Sequence, residues 1–401
     1  MAHSDTLAVH ARWLVCSPEE VLEDAVLLVR NGRVERIARG RMRVPGARVV
    51  DARDAVVAAG MVNAHAHLEL GALAGQTPRG GDFAAWVRKV IELRAALRPR
   101  ELARAAREGA ARALASGTTC VLDIDTTGAA FEGLRAHPIR AVSLREVLDA
   151  QDPTRTAGAL ARLARALPRR ARVREGVSPH APFTVSPALL AGVARIARRR
   201  RLPVQMHWSE TEAEVEWMAA GTGPLARMLG PSPRASALDL LERVGLFGPE
   251  LSLVHGNWPQ PGEARRLARS GVTLVHCPGS HAWFEREPFP WREYRRAGVE
   301  IALGTDSLAS NEDLDLRREL RLAWRAAPWL APAELWRAAT SAGAAACGER
   351  GRLGCLRPGS AADFWVLPVV PNSRKAVLEA LCGEESAPRS VWVGGRCVVG
   401  R

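Results

Sequence analysis

Gly60-Met61-Val62-Asn63-Ala64-His65-Ala66-His67-Leu68-Glu69 is a short apolar run that ends in two histidines one residue apart. Strand side chains alternate with period two, so in a β-strand both imidazoles lie on one face at its end. Two neutral ring nitrogens placed in this way are half of a metal site. The pair alone is more often a solvated or core coincidence than a site, and its meaning rests on whether other strand ends supply the missing ligands.

Outward from this stretch, one pattern repeats: an apolar run, a polar or glycine-rich loop, then an amphipathic helix. Strands are predicted at 60–65, 118–124, 139–147, 173–177, 204–207, 251–255, 272–276 and 299–304, with helical patterns between them, for example at 100–115, 187–200 and 261–270. Ser186 before Pro187 is a cap followed by a proline at the first helical position. Eight strands alternating with helices over about 300 residues predict an α/β fold, a (β/α)8 TIM barrel.

The two ends of the chain read differently. Short β-branched runs at 7–15, 25–30, 34–38, 49–50 and 55–57 surround Asn31-Gly32, a strong hairpin signal, and predict a small antiparallel β unit. Residues 362–367 and 390–399, the latter with a Gly394-Gly395 turn, mirror it at the other end. Neither end has enough strands to stand alone, so both are expected to join in one small flanking β-sandwich. The expected domains are 1–58 and 356–401 for the two parts of that unit and 59–355 for the barrel.

Composition narrows the function classes. The chain has 401 residues, 47% hydrophobic and 25% charged, which suits a globular protein with a large core. No apolar run of about 18 residues and no basic-then-apolar leader occurs, so neither a membrane span nor a signal peptide is expected. The net charge of +13 invites a nucleic-acid partner. However, Lys89 and Lys375 are the only lysines, the arginines are scattered over Ala/Arg/Leu helices, and no nucleic-acid motif accompanies them, so no such partner is expected. Seven widely spaced cysteines without a Cys-x-x-Cys pair predict reduced thiols and a cytoplasmic location.

Active sites of this barrel lie at the C-terminal ends of the strands. Of ten histidines, seven fall there: His65, His67, His180, His207, His255, His276 and His281. Asp306 follows the last strand in Leu303-Gly304-Thr305-Asp306-Ser307. We take His65, His67, His207 and Asp306 as metal ligands, a set that suits Zn2+ or Fe2+ with a position left for water. Glu210, three residues beyond His207, is placed to carry a proton between that water and the substrate. His255 is assigned to polarising the attacking hydroxide, with a fourth histidine ligand as its other reading. A binuclear site bridged by a carbamylated lysine needs a Lys at an interior strand end, and there is none, so one metal is expected.

Together these motifs resemble the amidohydrolase superfamily, in its branch of S-adenosylhomocysteine and other nucleoside deaminases, aminofutalosine deaminase and triazine chlorohydrolases. The resemblance covers nearly the whole chain. It rests on Asn63-Ala64-His65-Ala66-His67, Ser178-Pro179-His180-Ala181-Pro182-Phe183, His207-Trp208-Ser209-Glu210, Val254-His255, His276-Cys277-Pro278, residues 303–311 and Pro358-Gly359-Ser360-Ala361-Ala362-Asp363-Phe364. It implies one divalent metal, attack of water on an amidine-like carbon and release of ammonia. In that scheme Asp306 or Glu210 takes the water proton, Glu210 protonates the ring nitrogen and His255 steadies the hydroxide. A homodimer, usual in the family, is the implied assembly.

Four features bear on the substrate. His180 matches a histidine that faces the substrate in the resembled family, with a structural loop histidine as the other reading. Glu69 follows the histidine pair by two and either points into the same mouth or forms a salt bridge behind it. Trp86 of Phe83-x-x-Trp86 either stacks on a heterocycle or packs a helix. His281 lies in Ser280-His281-Ala282-Trp283-Phe284, which replaces the Ser-Asn of many relatives. The combination most resembles aminofutalosine deaminase-like members. S-adenosylhomocysteine, adenosine, guanine or triazine hydrolysis is the alternative, and a metal-free, non-enzymatic scaffold would require a ligand set broken at some position.

Overall fold

The computed structural model describes residues 6–400, apart from positions 41, 169, 171, 230, 231 and 233. The chain opens with strands β1 (Thr6–Val15), β2 (Val21–Arg30), β3 (Arg33–Arg39) and β4 (Arg48–Ala59). Asn31 and Gly32 both take positive φ, 51° and 73°, as a two-residue turn between twisted strands requires, and Arg30 pairs with Arg33 across it. The runs at 49–50 and 55–57 are one strand. The charged residues between them, Asp51, Arg53 and Asp54, are exposed, while Ala52 and Ala55 stay buried. The unit is also not wholly antiparallel: β4 runs parallel to β1, with a register shift between Ala11 and Trp13.

Eight strands then follow, each paired with its neighbours in sequence order: β5 (Met61–Ala66), β6 (Thr118–Asp125), β7 (Arg140–Val147), β8 (Val173–Pro179), β9 (Val204–Trp208), β10 (Leu251–His255), β11 (Thr273–His276) and β12 (Glu300–Leu303). All eight match predicted strands, and every residue of β5, β6, β9, β10 and β11 is buried, as a parallel sheet covered on both sides demands. The sheet closes between its first and last strands: the His65 carbonyl accepts the N–H groups of Thr305 (3.0 Å) and Asp306 (3.1 Å), and Ala66 bridges Asp306. Helix Pro187–Arg200 begins as expected, with Ser186 Oγ accepting from Leu189 N at 3.1 Å.

Strands β13 (Phe364–Leu367), β14 (Ser390–Val393) and β15 (Arg396–Gly400) return to the first sheet. Both chain ends thus share one seven-stranded sheet, in the order β15-β14-β13-β4-β1-β2-β3, with its own core of Leu14, Leu27, Val57, Phe364 and Trp392 among others. Only Gly60 separates β4 from β5. A Cβ there would stand 2.1 Å from Thr119 Oγ1, so the sheet can pass directly into the barrel only through a residue without a side chain. Beside this joint, Gly60 N–H donates to Asp363 O at 2.9 Å, and Arg140 holds the Asp363 carboxylate with two hydrogen bonds, at 2.6 and 3.1 Å.

Gly60→Ala is expected to destabilise the chain by about 1–3 kcal/mol through overpacking. Urea unfolding measures it, and Thr119→Ala in the same chain should recover part of the loss. An unchanged midpoint for Gly60→Ala would refute the steric account of the joint.

Candidate metal centre and active site

His65 sits at the end of β5 with no exposed surface. Its Nδ1 lies 2.7 Å from Gln205 Oε1, and Gln205 Nε2 donates to Ala64 O and to Ser252 Oγ, each at 2.9 Å. Those two donations orient the amide, so its oxygen must face the ring. His65 therefore carries its proton on Nδ1, and Nε2 is a buried lone pair with no hydrogen-bond partner. His207, on β9, is set by the same logic: its Nδ1 donates to the His180 carbonyl at 2.8 Å, leaving Nε2 bare.

His207 Nε2 is 3.3 Å from His67 Nε2, and Asp306 Oδ1 stands 3.7 Å from the Nε2 atoms of both His65 and His67. The other carboxylate oxygen of Asp306 accepts from Ser280 Oγ (2.7 Å) and Ser310 Oγ (2.9 Å), which fixes which oxygen faces the imidazoles. Burial raises the Asp306 pKa, but the neighbouring His65, His67 and His255 rings outweigh it and hold the carboxyl well below its ordinary value. Burial, with the neighbouring His65 second, holds His67 well below the usual imidazole pKa. Three imidazoles gathered around a carboxylate, with Nε2 of His65 orphaned in the interior, fit a divalent cation. His65, His67 and His207 present ligand atoms within 4.8 Å of one another.

Glu210 and His255 stand beside this cluster. His255 ends β10 with φ 78°, a strained value for a side-chain-bearing residue, and its Nε2 lies 3.7 Å from Glu210 Oε1. Ser209, with φ 51°, turns the chain after β9 so that the N–H groups of Ser209 and Glu210 donate to the Glu214 carboxylate at 2.9 and 3.0 Å. Burial pushes the Glu214 carboxyl up to about 8. Asn257 Nδ2 donates to the Glu210 carbonyl at 3.0 Å, and Arg286 donates to Glu210 Oε1 at 3.1 Å.

The expected pocket residues separate. His180 Nδ1 meets Thr184 Oγ1 at 2.7 Å, and its ring lies 4.9 Å from that of His207, so it adjoins the cluster. Glu69 is buried without a cationic partner: Thr127 donates to Oε2 at 2.8 Å, and Oε1 has no partner. Burial, then the Asp125 charge, raises its carboxyl to about 7. Trp86 belongs to a wall with Phe83 and Phe284, ring centroids 5.6 and 5.2 Å away, and its Nε1 donates to Ala309 O at 2.8 Å. His281 has both ring nitrogens engaged, Nδ1 near Asn257 Oδ1 (3.2 Å) and Nε2 near Glu287 O (2.8 Å), so it braces the loop behind Glu210. His276 stacks on Phe289, 3.8 Å between ring centroids, within an aromatic cluster.

Four residues at the site escaped the sequence reading: Gln205, Glu214, Arg286 and Glu146. Glu146, near the end of β7, mirrors Glu69. Thr126 donates to its Oε2 at 2.7 Å, its Oε1 is orphaned, and it lies within 4.8 Å of ligand atoms of His180 and His207. Glu146, Thr126, Thr127, Arg94 and Arg155 line a cavity of about 1030 Å3. Glu146 alone had a signal in the chain, an acid near a predicted strand end in Leu144-Arg145-Glu146-Val147.

The chain matches the model of the amidohydrolase family over residues 56–398. It is similar to an aminodeoxyfutalosine deaminase of Deinococcus radiodurans, 34% identical over 319 residues that cover 74% of each protein. It is also similar to a 5-methylthioadenosine/S-adenosylhomocysteine deaminase of Halobacterium salinarum, 34% identical over 384 residues, 91% of this chain and 84% of that one. Among solved structures, an adenosine deaminase from Xanthomonas campestris with bound zinc superimposes with a TM-score of 0.82 at 28% identity, covering 98% of this chain and 93% of that one.

Gln205→Leu keeps the volume at the centre of the candidate site but removes the acceptor that orients His65. Metal affinity, measured by competition with a chelator, is expected to fall about 10–100-fold. Unchanged affinity in a folded variant would refute the orienting role.

Proposed function

The chain belongs to the amidohydrolase family, and from that premise we propose that it is a metal-dependent hydrolase that deaminates an amino-bearing heterocycle of a nucleoside. An aminofutalosine-type substrate is the best match. The observation that carries this reading is the convergence of three imidazoles and Asp306 on one point, with Glu210 and His255 beside it. A divalent cation held by His65, His67, His207 and Asp306 would supply a water of lowered pKa and positive charge near the reacting carbon. Zinc is the metal we assign, supported by the zinc in the Xanthomonas relative, with Fe2+ as the alternative.

The chain's own groups account for the proton inventory. Asp306 or Glu210 takes a proton from the attacking water as its oxygen bonds to the amidine carbon. Glu210 delivers a proton to the adjacent ring nitrogen, and the carbon becomes tetrahedral. The bond to the exocyclic nitrogen then breaks, and ammonia departs with the second water proton, leaving a carbonyl. His255 Nε2, 3.7 Å from Glu210 Oε1, orients the water oxygen and offsets charge that develops on it.

A nucleoside rather than a free base is supported by the cavity beside the cluster. Glu146 lines this cavity and has one carboxylate oxygen without a partner, an acceptor that suits a sugar hydroxyl. Arg94 and Arg155 in the same cavity suit an anionic substituent farther along the substrate. His180 adjoins both regions and is assigned to the heterocycle, with Trp86 in the aromatic wall. S-adenosylhomocysteine remains the second reading, favoured by the broader coverage of the Halobacterium relative. We place the protein in the cytoplasm as a homodimer acting on a small molecule, without nucleic acid. Free cysteines at all seven positions support that compartment, and no helix among the described residues is long and apolar enough to cross a membrane.

The test is ammonia release by zinc-loaded protein from aminodeoxyfutalosine, S-adenosylhomocysteine, adenosine, guanine and melamine. At least one nucleoside should be turned over, and no turnover of any of the five would refute the deaminase reading. Glu210→Gln should lower kcat by about 10²–10⁴-fold with metal content unchanged. Glu146→Gln should raise the KM for a ribonucleoside by about tenfold while leaving the KM for its 2′,3′-dideoxy analogue unchanged. Equal effects on both would remove Glu146 from sugar recognition.

A further inference from the structure

Arg286 lies in the loop after β11, and its side chain is only 7% exposed. The guanidinium carbon stands 4.6 Å from the ring centroid of Phe284 and 5.9 Å from that of Phe83, so two aromatic faces flank the charge. Nη2 donates to Glu210 Oε1 at 3.1 Å, while Nη1 is buried with no partner. Arg145, by contrast, places its amino groups on the carbonyls of residues 162 and 165 and on the Glu175 carboxylate. Arg286 instead spends one amino group on a carboxylate assigned to proton transfer, and the other on nothing in the fold.

The terminal torsion of a glutamate is broad, so an unpinned carboxylate presents either oxygen in many orientations. Glu210 Oε1 is bracketed by Arg286 at 3.1 Å and by His255 Nε2 at 3.7 Å. Among the described residues no hydrogen bond reaches Oε2. The arrangement leaves one defined oxygen for the reacting atoms.

We propose that Arg286 is the positioning residue of the proton-transfer step: it pins Oε1 of Glu210 so that Oε2 carries the proton between water and heterocycle. The inference rests on the deaminase reading for its kinetic consequence and on the Glu210 contact alone for its structural one. Lysine at this position keeps the charge but not the planar fork that holds an oxygen in one direction. It therefore restores only part of the function.

The test uses the full-length, metal-loaded protein. Arg286→Met should lower kcat about 100-fold with KM within threefold of wild type. Arg286→Lys should recover part of that loss, and guanidinium salts should raise the rate of Arg286→Ala at least tenfold. In a Glu210→Gln background, Arg286→Met should cost less than threefold more, because it acts through the missing carboxylate. A kcat within threefold of wild type for Arg286→Met, or an equal loss in both backgrounds, would overturn the proposal. A double-mutant cycle of the same two positions, read by thermal unfolding, needs no substrate. A coupling between them is expected, and its absence overturns the pinning even if the wild-type protein deaminates none of the compounds tried, an outcome that would count separately against the deaminase reading.

Discussion

Closure of the barrel at the His65 carbonyl is the constraint from which the site follows. Parallel strands satisfy their backbone groups only with neighbours, and the first and last strands of an eight-stranded sheet must find each other or leave polar edges buried. Here the carbonyl of His65 accepts from both Thr305 and Asp306, and Asn63 adds hydrogen bonds to the side chain (2.8 Å) and N–H (3.2 Å) of Thr305. The closure that completes the sheet also brings the Asp306 carboxylate, with φ 57°, to within 3.7 Å of two imidazoles from β5 and its end. Fold and chemistry share one set of hydrogen bonds.

Around that point, burial makes each polar group depend on a specific partner. In water the protonation of an imidazole averages over two tautomers, but inside the barrel Gln205 and the His180 carbonyl choose one for His65 and His207. The same low-dielectric setting explains why carboxylates that are not ligands are held by hydroxyls and N–H groups: Glu69 by Thr127, Glu146 by Thr126, and Glu214 by two backbone amides. Strain is present at the same rim, where Ser209, His255 and Asp306 all take positive φ at strand ends.

Much of this was legible in the sequence because it depends on local pattern. The eight barrel strands, the Asn31-Gly32 turn and the helix after Ser186 each follow from periodicity or turn chemistry within about ten residues. The ligand candidates were legible because the fold predicts where reactive residues collect. The parallel pairing of β1 with β4 was not, since a short run of apolar residues looks the same whichever neighbour it joins. His281 and Trp86 illustrate a related limit. Their positions after strand ends are right, but whether a ring nitrogen faces a substrate or a loop carbonyl depends on side chains elsewhere, here Asn257, Glu287 and Ala309.

By itself, the sequence determined the fold class and the residues gathered at the barrel mouth, because strand alternation and the order of strands in a closed parallel sheet are properties of the chain's own periodicity, while its motifs carried the resemblance to the family. Only the tertiary structure decided which nitrogen of His65 is free, which oxygen of Asp306 faces the rings, and that Arg286 reaches Glu210. Those outcomes are set by hydrogen bonds between residues 140, 26 and 76 positions apart, and no local pattern encodes a contact whose partner is chosen by packing.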